Sequence, residues 1–180
     1  PPRGRANPGH YLAVRAGHPA TFPAGERFSY CNGGYVVLAL IAERASGTAF
    51  HDLVRQRICA PAGMTDTDFL RSDDLPGSAA LGYLEVDGQW RTNVFHLPVR
   101  GSGDGGIYST VADISSFWTA LFAGHIVSKE WVAELIRPGS EYPEESMRYG
   151  LGFWHRQSGD VVEMHGCHAG AWFRAPHAPG

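Results

Sequence analysis

The sequence is poor in lysine, in cysteine and in long apolar runs. Lys129 is its one lysine among 15 basic residues. The three cysteines, Cys31, Cys59 and Cys167, are odd in number and widely spaced, so they predict buried free thiols rather than a disulfide framework. The longest apolar run, Tyr35 to Ala42, is too short to cross a bilayer. These shortages exclude a disulfide-stapled module and a membrane span within this sequence.

A strong charge of either sign is also lacking. The formal net charge is −3 and the pI is about 6.3, which gives no electrostatic reason to expect a nucleic-acid partner. With 180 residues, 43% of them hydrophobic, the chain can bury the core of one globular domain. We therefore expect no nucleic-acid partner.

Both ends of the chain look cut. The first residue is Pro1 rather than Met, and residues 1–22 form a Pro-, Gly- and Ala-containing surface segment without periodic apolar positions. The last residues, Trp172 to Ala175, predict a strand in a sheet that should continue. Localisation cannot be predicted without the true N-terminus, and the oligomeric state stays open.

Helical patterns dominate residues 23–138. A buried helix follows Asn32, which we expect at its N-cap, and a second helix runs from a Thr48 cap to a point before Pro61. A third helix starts at Thr110, whose spacing to Asp113 is that of a capping box, and buries the apolar residues Ile114, Phe117, Trp118 and Leu121. A fourth starts at Ser128, and its predicted interior residues are Trp131, Val132, Leu135 and Ile136.

Strand patterns dominate residues 139–180. The predicted strands are Tyr149–Trp154, Val161–Met164, joined to it across residues 158–160, and Ala169–Ala175. A separate hairpin is predicted over residues 82–92, turning at Asp87-Gly88. Helices first and antiparallel strands last indicate an α+β fold of one domain rather than alternating βαβ units.

Three segments carry the functional signal. They are Phe28-Ser29-Tyr30-Cys31-Asn32, Gly103-Asp104-Gly105-Gly106-Ile107-Tyr108-Ser109-Thr110 and His168-Ala169-Gly170-Ala171. In this order they resemble the later active-site elements of the superfamily of serine β-lactamases, penicillin-binding proteins, D-alanyl-D-alanine carboxypeptidases and related esterases. Residues 23–35 also reproduce a pattern characteristic of class C β-lactamases and their esterase relatives, Pro-x-Gly-x-x-Phe-x-Tyr-x-Asn-x-x-Tyr. The resemblance implies a fragment of the β-lactamase/transpeptidase-like fold.

The resemblance gives roles to the first two segments. Tyr30 corresponds to the tyrosine that shares the proton of the nucleophilic serine, and Asn32 to the residue that holds the carbonyl side of the substrate. A phenol titrates near pH ~10, so Tyr30 needs a neighbouring cation to act as a base. The glycine segment also fits the dinucleotide fingerprint from Gly101 to Gly106, but no strand precedes it and its helix begins only at Thr110. We therefore expect no nucleotide cofactor, and the resemblance gives this loop an architectural role.

The third segment allows two placements. In the superfamily it is Lys-Thr-Gly or His-x-Gly on a strand beside the active site, followed by a backbone N–H of the oxyanion hole. We choose His168 as the basic residue, with Ala169 and Gly170 contacting substrate and the N–H of Ala171 as the oxyanion donor. His165 is the alternative.

A zinc site is the competing interpretation of His165, Cys167 and His168. Structural or catalytic zinc needs three or four protein ligands at a recognisable spacing. The remaining histidines are scattered singly along the sequence, and we expect most of them on the surface or in loops. We therefore predict no metal.

The resemblance also identifies what is missing. The superfamily attacks its substrate with the serine of a Ser-x-x-Lys motif, and no lysine in this sequence follows a serine by three positions. We therefore expect a serine hydrolase that acts through an acyl-enzyme on β-lactams, D-Ala-D-Ala peptides or small esters, with its nucleophile outside this chain, so that the chain alone is inactive. The alternative is a non-catalytic binding or regulatory protein of the same fold.

Overall fold

Helices come first along the chain and an antiparallel sheet comes last, as the sequence predicts. The computed structural model describes residues 19–157 and 159–178, so most of the N-terminal segment predicted over residues 1–22 lies outside the described residues. No described helix combines the length and apolar character that a membrane crossing requires.

Five α-helices lie in the described part of the first region. They are α1 (Asn32–Ser46), α2 (Phe50–Val54), α3 (Ala60–Ala62), α4 (Val111–Ala123) and α5 (Lys129–Ile136), with a π-helical turn, Arg55–Cys59, joining α2 to α3. Single 3₁₀ turns lie at Val94–His96 and Pro143–Glu145. The strands are β1 (Tyr83–Val86), β2 (Gln89–Thr92), β3 (Ser140–Tyr142), β4 (Met147–Tyr149), β5 (Trp154–Arg156), β6 (Val162–His168) and β7 (Ala171–His177).

Two helix starts differ from the prediction. Asn32 is the first residue of α1 rather than its cap; the cap position is Cys31, which makes no side-chain capping bond. Thr48 does not cap the second helix, because the Phe50 N–H donates to the Glu43 carboxylate at 2.8 Å and so obtains its acceptor from the end of α1. A tertiary contact here replaces the local cap.

The second helix also continues past its predicted end. Pro61 is the middle residue of α3, and the chain leaves the helix only at Gly63, which has φ of 67°. Proline is tolerated in a first helical turn, where its missing N–H has no partner to lose. The backbone stays helical through the π turn, where the Ala60 N–H donates to the Arg55 carbonyl five residues back, and Gly63 rather than Pro61 ends the helix.

The predicted turn of the hairpin and the predicted start of α4 are confirmed. Asp87 and Gly88 have φ of 52° and 72° between β1 and β2, as a type I′ turn requires. At α4 the Thr110 hydroxyl accepts from the Asp113 N–H at 3.1 Å. The Asp113 carboxylate does not complete a capping box; it is buried and accepts from the Asp66 N–H at 2.8 Å and the Thr67 hydroxyl at 2.6 Å.

The main core lies between α4, α5 and one face of the sheet. Its buried side chains are Trp118, Leu121, Val132, Phe153 and Val162. The prediction that Trp131 is interior is wrong, since 64% of it is exposed. Successive helix residues are about 100° apart, so a helix that buries Val132 turns Trp131 toward solvent.

Two histidines contribute to this core, contrary to the expectation of surface positions. His155 on β5 is buried, with 4% exposure. His177 at the end of β7 stacks on Trp118 and Phe122, with ring centroids 5.3 and 4.3 Å apart. The prediction of buried cysteines holds only for Cys59.

The sheet has the strand order β3-β4-β5-β6-β7, all antiparallel. The strand predicted over residues 149–154 is two strands, because the chain turns between Tyr149 and Trp154 and these two residues pair across β4 and β5. The predicted connection between β5 and β6 includes Ser158, which lies outside the described residues. Strand β3 was not predicted.

Candidate active site

Tyr30 lies against the sheet at the start of α1. Its ring stacks on Trp154 of β5 with centroids 6.3 Å apart and planes at 21°. The ring of His165 on β6 also stacks on Trp154, with centroids 5.9 Å apart and planes at 17°. One tryptophan therefore joins the tyrosine of the first motif to one of the two candidate histidines of the third.

Phe28 and Tyr35 hold the segment around Tyr30 on the sheet. The Phe28 ring lies 5.2 Å from that of Tyr149 and 5.8 Å from that of Trp154. The hydroxyls of Tyr35 and Tyr149 are hydrogen-bonded to each other. The pKa of Tyr149 is raised far above its usual value, mainly by burial and in second place by this hydrogen bond. Tyr30 is thus presented by a fixed segment, as a positioned proton-transfer group must be.

The Tyr30 hydroxyl is neutral at neutral pH in these surroundings. Tyr30 is 59% exposed, but desolvation of the part that lies against the sheet raises its pKa, and the nearby Tyr35 and Asp104 raise it further. Tyr30 also lines a cavity of about 370 Å³ together with Cys31, Leu38 and other residues of this segment. Asn32, two residues on, is exposed at the first position of α1.

The glycine loop lies directly against α1. A Cβ on Gly103 would stand 2.3 Å from the Tyr35 carbonyl oxygen and 2.7 Å from the Ala39 Cβ. The next two residues approach both candidate motifs: the charge of Asp104 acts on Tyr30, and a Cβ on Gly105 would lie 3.8 Å from the His168 Nε2. The loop therefore lies between the start of α1 and the end of β6.

The third segment folds as a two-residue hairpin turn. His168 ends β6, Ala169 and Gly170 form the turn with Gly170 at φ of 72°, and Ala171 begins β7 paired with His168. The Asn93 side chain donates to the Ala169 carbonyl at 2.8 Å. In a two-residue hairpin turn the N–H of the residue after the turn points at the C=O of the residue before it. The Ala171 N–H therefore faces His168 on β6.

His165 belongs to a charged cluster on β5, β6 and β7. Its Nε2 lies 2.6 Å from the carboxylate of Glu163, which is fully buried and also bonded by Arg156 and Arg174. Burial alone would raise the pKa of Glu163, but the hydrogen bonds from Arg156 and His165 and their charges hold it below its usual value. The cluster keeps this carboxylate ionised.

Part of β6 has an open edge next to this cluster. Strand β5 pairs with β6 only at Val162 and Glu163, and no other strand of the described residues pairs with that edge between Met164 and His168. In an antiparallel strand every second residue directs its N–H and C=O to a given edge. This stretch therefore offers backbone donors and acceptors that the sheet does not use.

The structure thus joins Tyr30 to His165 through Trp154, and His168 to the glycine loop. Sequence reasoning missed Trp154 and Glu163. A glutamate between two apolar residues of a strand, as in Val162-Glu163-Met164, is a usable signal, because a buried carboxylate requires cationic partners. In the part of the chain that the structure describes, no three His, Cys, Asp or Glu residues are grouped closely enough to hold a metal ion.

Comparisons with known proteins identify similar chains. Penicillin-binding protein 4* of Bacillus subtilis (strain 168) is 28% identical over 173 residues, covering 89% of this chain and 38% of that protein. A D-aminopeptidase of Cereibacter sphaeroides is 26% identical over 162 residues, covering 85% of this chain and 29% of that protein. The crystal structure of a penicillin binding protein from Bacillus halodurans matches with a TM-score of 0.89 and 32% identity over 98% of this chain and 56% of that one.

These similarities agree with the fold. The chain spans less than two thirds of each of these relatives, and the solved structure has the same arrangement of helices and antiparallel strands. The family model described as Beta-lactamase matches residues 2–176. The chain therefore belongs to the beta-lactamase family, which confirms the resemblance and the fold predicted from its three motifs.

Proposed function

We propose that this chain supplies the tyrosine and the sheet-edge half of the active site of a serine hydrolase that works through an acyl-enzyme. The nucleophile is the serine of a Ser-x-x-Lys segment outside these 180 residues. Membership of the family and similarity to a D-aminopeptidase and to penicillin-binding proteins support this. The substrates are β-lactams, D-amino-acid peptides or amides, or small esters.

The observation that carries the proposal is that Tyr30 and His165 both stack on the ring system of Trp154. These residues are far apart in the sequence: Tyr30 precedes α1, Trp154 lies on β5 and His165 lies on β6. Proton transfer requires groups held in fixed positions relative to the reacting atoms. A family motif that merely persisted in a protein without catalysis would not need this convergence.

Tyr30 does not act as a base by itself. Burial, Tyr35 and Asp104 all favour its neutral form. Only the phenolate form of Tyr30 can take up the proton of a serine, and in these surroundings that form requires a stabilising cation. The lysine of the Ser-x-x-Lys segment is the cation we assign to that role.

His165 is the better candidate for the basic residue of the third motif, although His168 is the residue that the sequence favoured. His165 stacks on the same tryptophan as Tyr30, whereas His168 approaches Gly105. The roles of Ala169 and Gly170 as substrate contacts stay predictions.

The oxyanion donor belongs on the open edge of β6. The Ala171 N–H faces β6 across the hairpin, while N–H groups between Met164 and His168 on the other edge have no strand partner in the described chain. A backbone donor must point to where the oxyanion forms. Asn32, exposed at the start of α1, is assigned to the carbonyl side of the substrate.

The test is Tyr30→Phe in the full-length protein that contains this chain. Loss of a positioned proton-transfer group should lower kcat by about 10²-fold or more, measured on a chromogenic cephalosporin, a D-alanine anilide and a nitrophenyl ester. Tyr83→Phe, which removes a hydroxyl from a half-exposed residue of β1, is the matched control and should keep kcat. Unchanged turnover in a folded Tyr30→Phe protein would remove Tyr30 from the mechanism, and no turnover of any substrate by the wild type would favour the binding-protein alternative.

A further inference from the structure

We propose that Glu163 is a positioning residue that fixes the orientation and the tautomer of the His165 imidazole. The inference rests on the proposed function for its catalytic consequence, but the geometry that carries it is independent of activity. It assigns a role to a charged cluster that no motif of the sequence points to.

Glu163 is the most deeply buried large side chain of the described residues, with 0% exposure. A buried carboxylate is very costly unless it is paired and hydrogen-bonded. Arg156 donates from Nε to Oε1 at 2.8 Å. Arg174 donates from Nη2 to Oε1 at 2.6 Å and from Nε to Oε2 at 2.8 Å. The two arginines hold the carboxylate in one orientation from the strands on either side.

The fourth bond goes to His165, whose Nε2 lies 2.6 Å from Oε2. Each carboxylate oxygen then has two partners, which is the full capacity of an ionised carboxylate. An ionised carboxylate only accepts hydrogen bonds, so the His165 Nε2 must carry the hydrogen. In the neutral imidazole the free lone pair is consequently on Nδ1.

Two contacts therefore determine the position of the ring. The Glu163 bond fixes its rotation, and the stack on Trp154 at 5.9 Å and 17° fixes its plane. When a proton arrives, Nδ1 accepts it while Nε2–H stays with Glu163. Among the described residues, the charged groups around His165 are Glu163 on its own strand, Arg156 on β5 and Arg174 on β7, and Tyr30 stacks on the same tryptophan. The bond to Glu163 imposes this tautomer even on a purely structural cluster, so the catalytic consequence is what separates a positioning role from a structural one.

The test is the tautomer of His165 in the full-length protein, read from the two ring nitrogens by ¹⁵N NMR with histidine labelling. A His165→Gln spectrum assigns the signals. We expect the Nε2–H form in the wild type and a loss of that preference in Glu163→Gln, whose amide can donate as well as accept. Glu141→Gln, on exposed Glu141 of β3, is the control and should leave the spectrum unchanged. An Nδ1–H tautomer in the wild type, or an unchanged tautomer in Glu163→Gln, would overturn the inference.

Kinetics separate this inference from the proposed function. Glu163→Gln should lower kcat by about 10-fold or more while KM stays within about 3-fold, because a misplaced imidazole impairs the transition state rather than substrate binding. Should this variant fail to fold, the wild-type tautomer still decides. Normal kcat with an altered tautomer contradicts the positioning role, whereas a wild type with the expected tautomer and no hydrolase activity contradicts the proposed function alone.

Discussion

Replacing Gly103 by alanine should destabilise the protein, because the added Cβ would clash with α1. The added Cβ would stand 2.3 Å from the Tyr35 carbonyl oxygen, 2.7 Å from the Ala39 Cβ and 3.0 Å from the Tyr35 carbonyl carbon. Two of these atoms are helix backbone, so they cannot move aside as the end of a flexible side chain would. Overpacking costs about 1–3 kcal/mol, and the reduced entropy of the unfolded chain returns about 0.4–1 kcal/mol. We expect the free energy of unfolding to fall by about 1–2 kcal/mol.

Urea denaturation, read as a change in midpoint at constant m value, measures this difference. Gly77→Ala is the control, since its Cβ would meet nothing within 4 Å, and it should be neutral or slightly stabilising. Gly34→Ala within α1 also meets nothing within 4 Å and should stabilise by about 0.5–1 kcal/mol. If Gly103→Ala unfolds within about 0.5 kcal/mol of Gly77→Ala, the loop does not lie on α1 as described. The displaced loop should also lower turnover, because it carries Asp104 and Gly105.

Three further outcomes follow from buried groups. Burial lowers the pKa of His155, so the unfolded state takes up its proton first and the free energy of unfolding should fall as pH drops below about 6.5. Glu163, whose pKa is lowered in the folded state, adds a further loss below about pH 4.3. Chemical denaturation from about pH 8 to about pH 3, with His155→Gln flattening the first step, checks both losses. Asp113→Ala should cost about 1–3 kcal/mol, because the Asp66 N–H and the buried Thr67 hydroxyl lose the carboxylate that accepts from both, while Thr67 keeps the Ser109 hydroxyl as a partner; a cost below about 0.5 kcal/mol would contradict that. Val132→Ala should lower the free energy of unfolding by about 1–3 kcal/mol, whereas Trp131→Ala on the same helix should lower it by less than about 0.5 kcal/mol. Equal shifts of the melting temperature in the two variants would mean that the assigned buried face of α5 is wrong.

Features set by neighbouring residues were predictable from the sequence. The Thr110 cap and the Asp87-Gly88 turn depend on two to four adjacent positions, and both are found as predicted. The order of helices and strands follows from periodicity, which is also local. The motif around Tyr30 was recognisable because its residues are contiguous.

Features set by tertiary contacts were not predictable. Glu43 replaces Thr48 as the acceptor for the start of α2, although seven positions separate it from Phe50. The pairing of Tyr149 with Trp154 divides one apolar run into two strands, and pairing is a property of the sheet rather than of the run. Trp154 became part of the site for the same reason, since nothing in its sequence neighbourhood indicates that two motifs meet on its ring.

The choice between His165 and His168 shows where a motif stops being informative. Side chains alternate between the two faces of a strand, so residues separated by an odd number of positions point to opposite faces. His165 and His168 are three positions apart on β6, and His165 shares its face with Glu163 and, across the pairing with β5, with Trp154. One of the two histidines can therefore share the face on which Tyr30 is stacked. A tripeptide pattern fits either one, whereas the register of β5 on β6 distinguishes them. A register shifted by one residue would move Trp154 to the face of His168, and so a single nuclear Overhauser contact between the ring protons of Trp154 and those of His165 or His168 in the full-length protein decides the assignment.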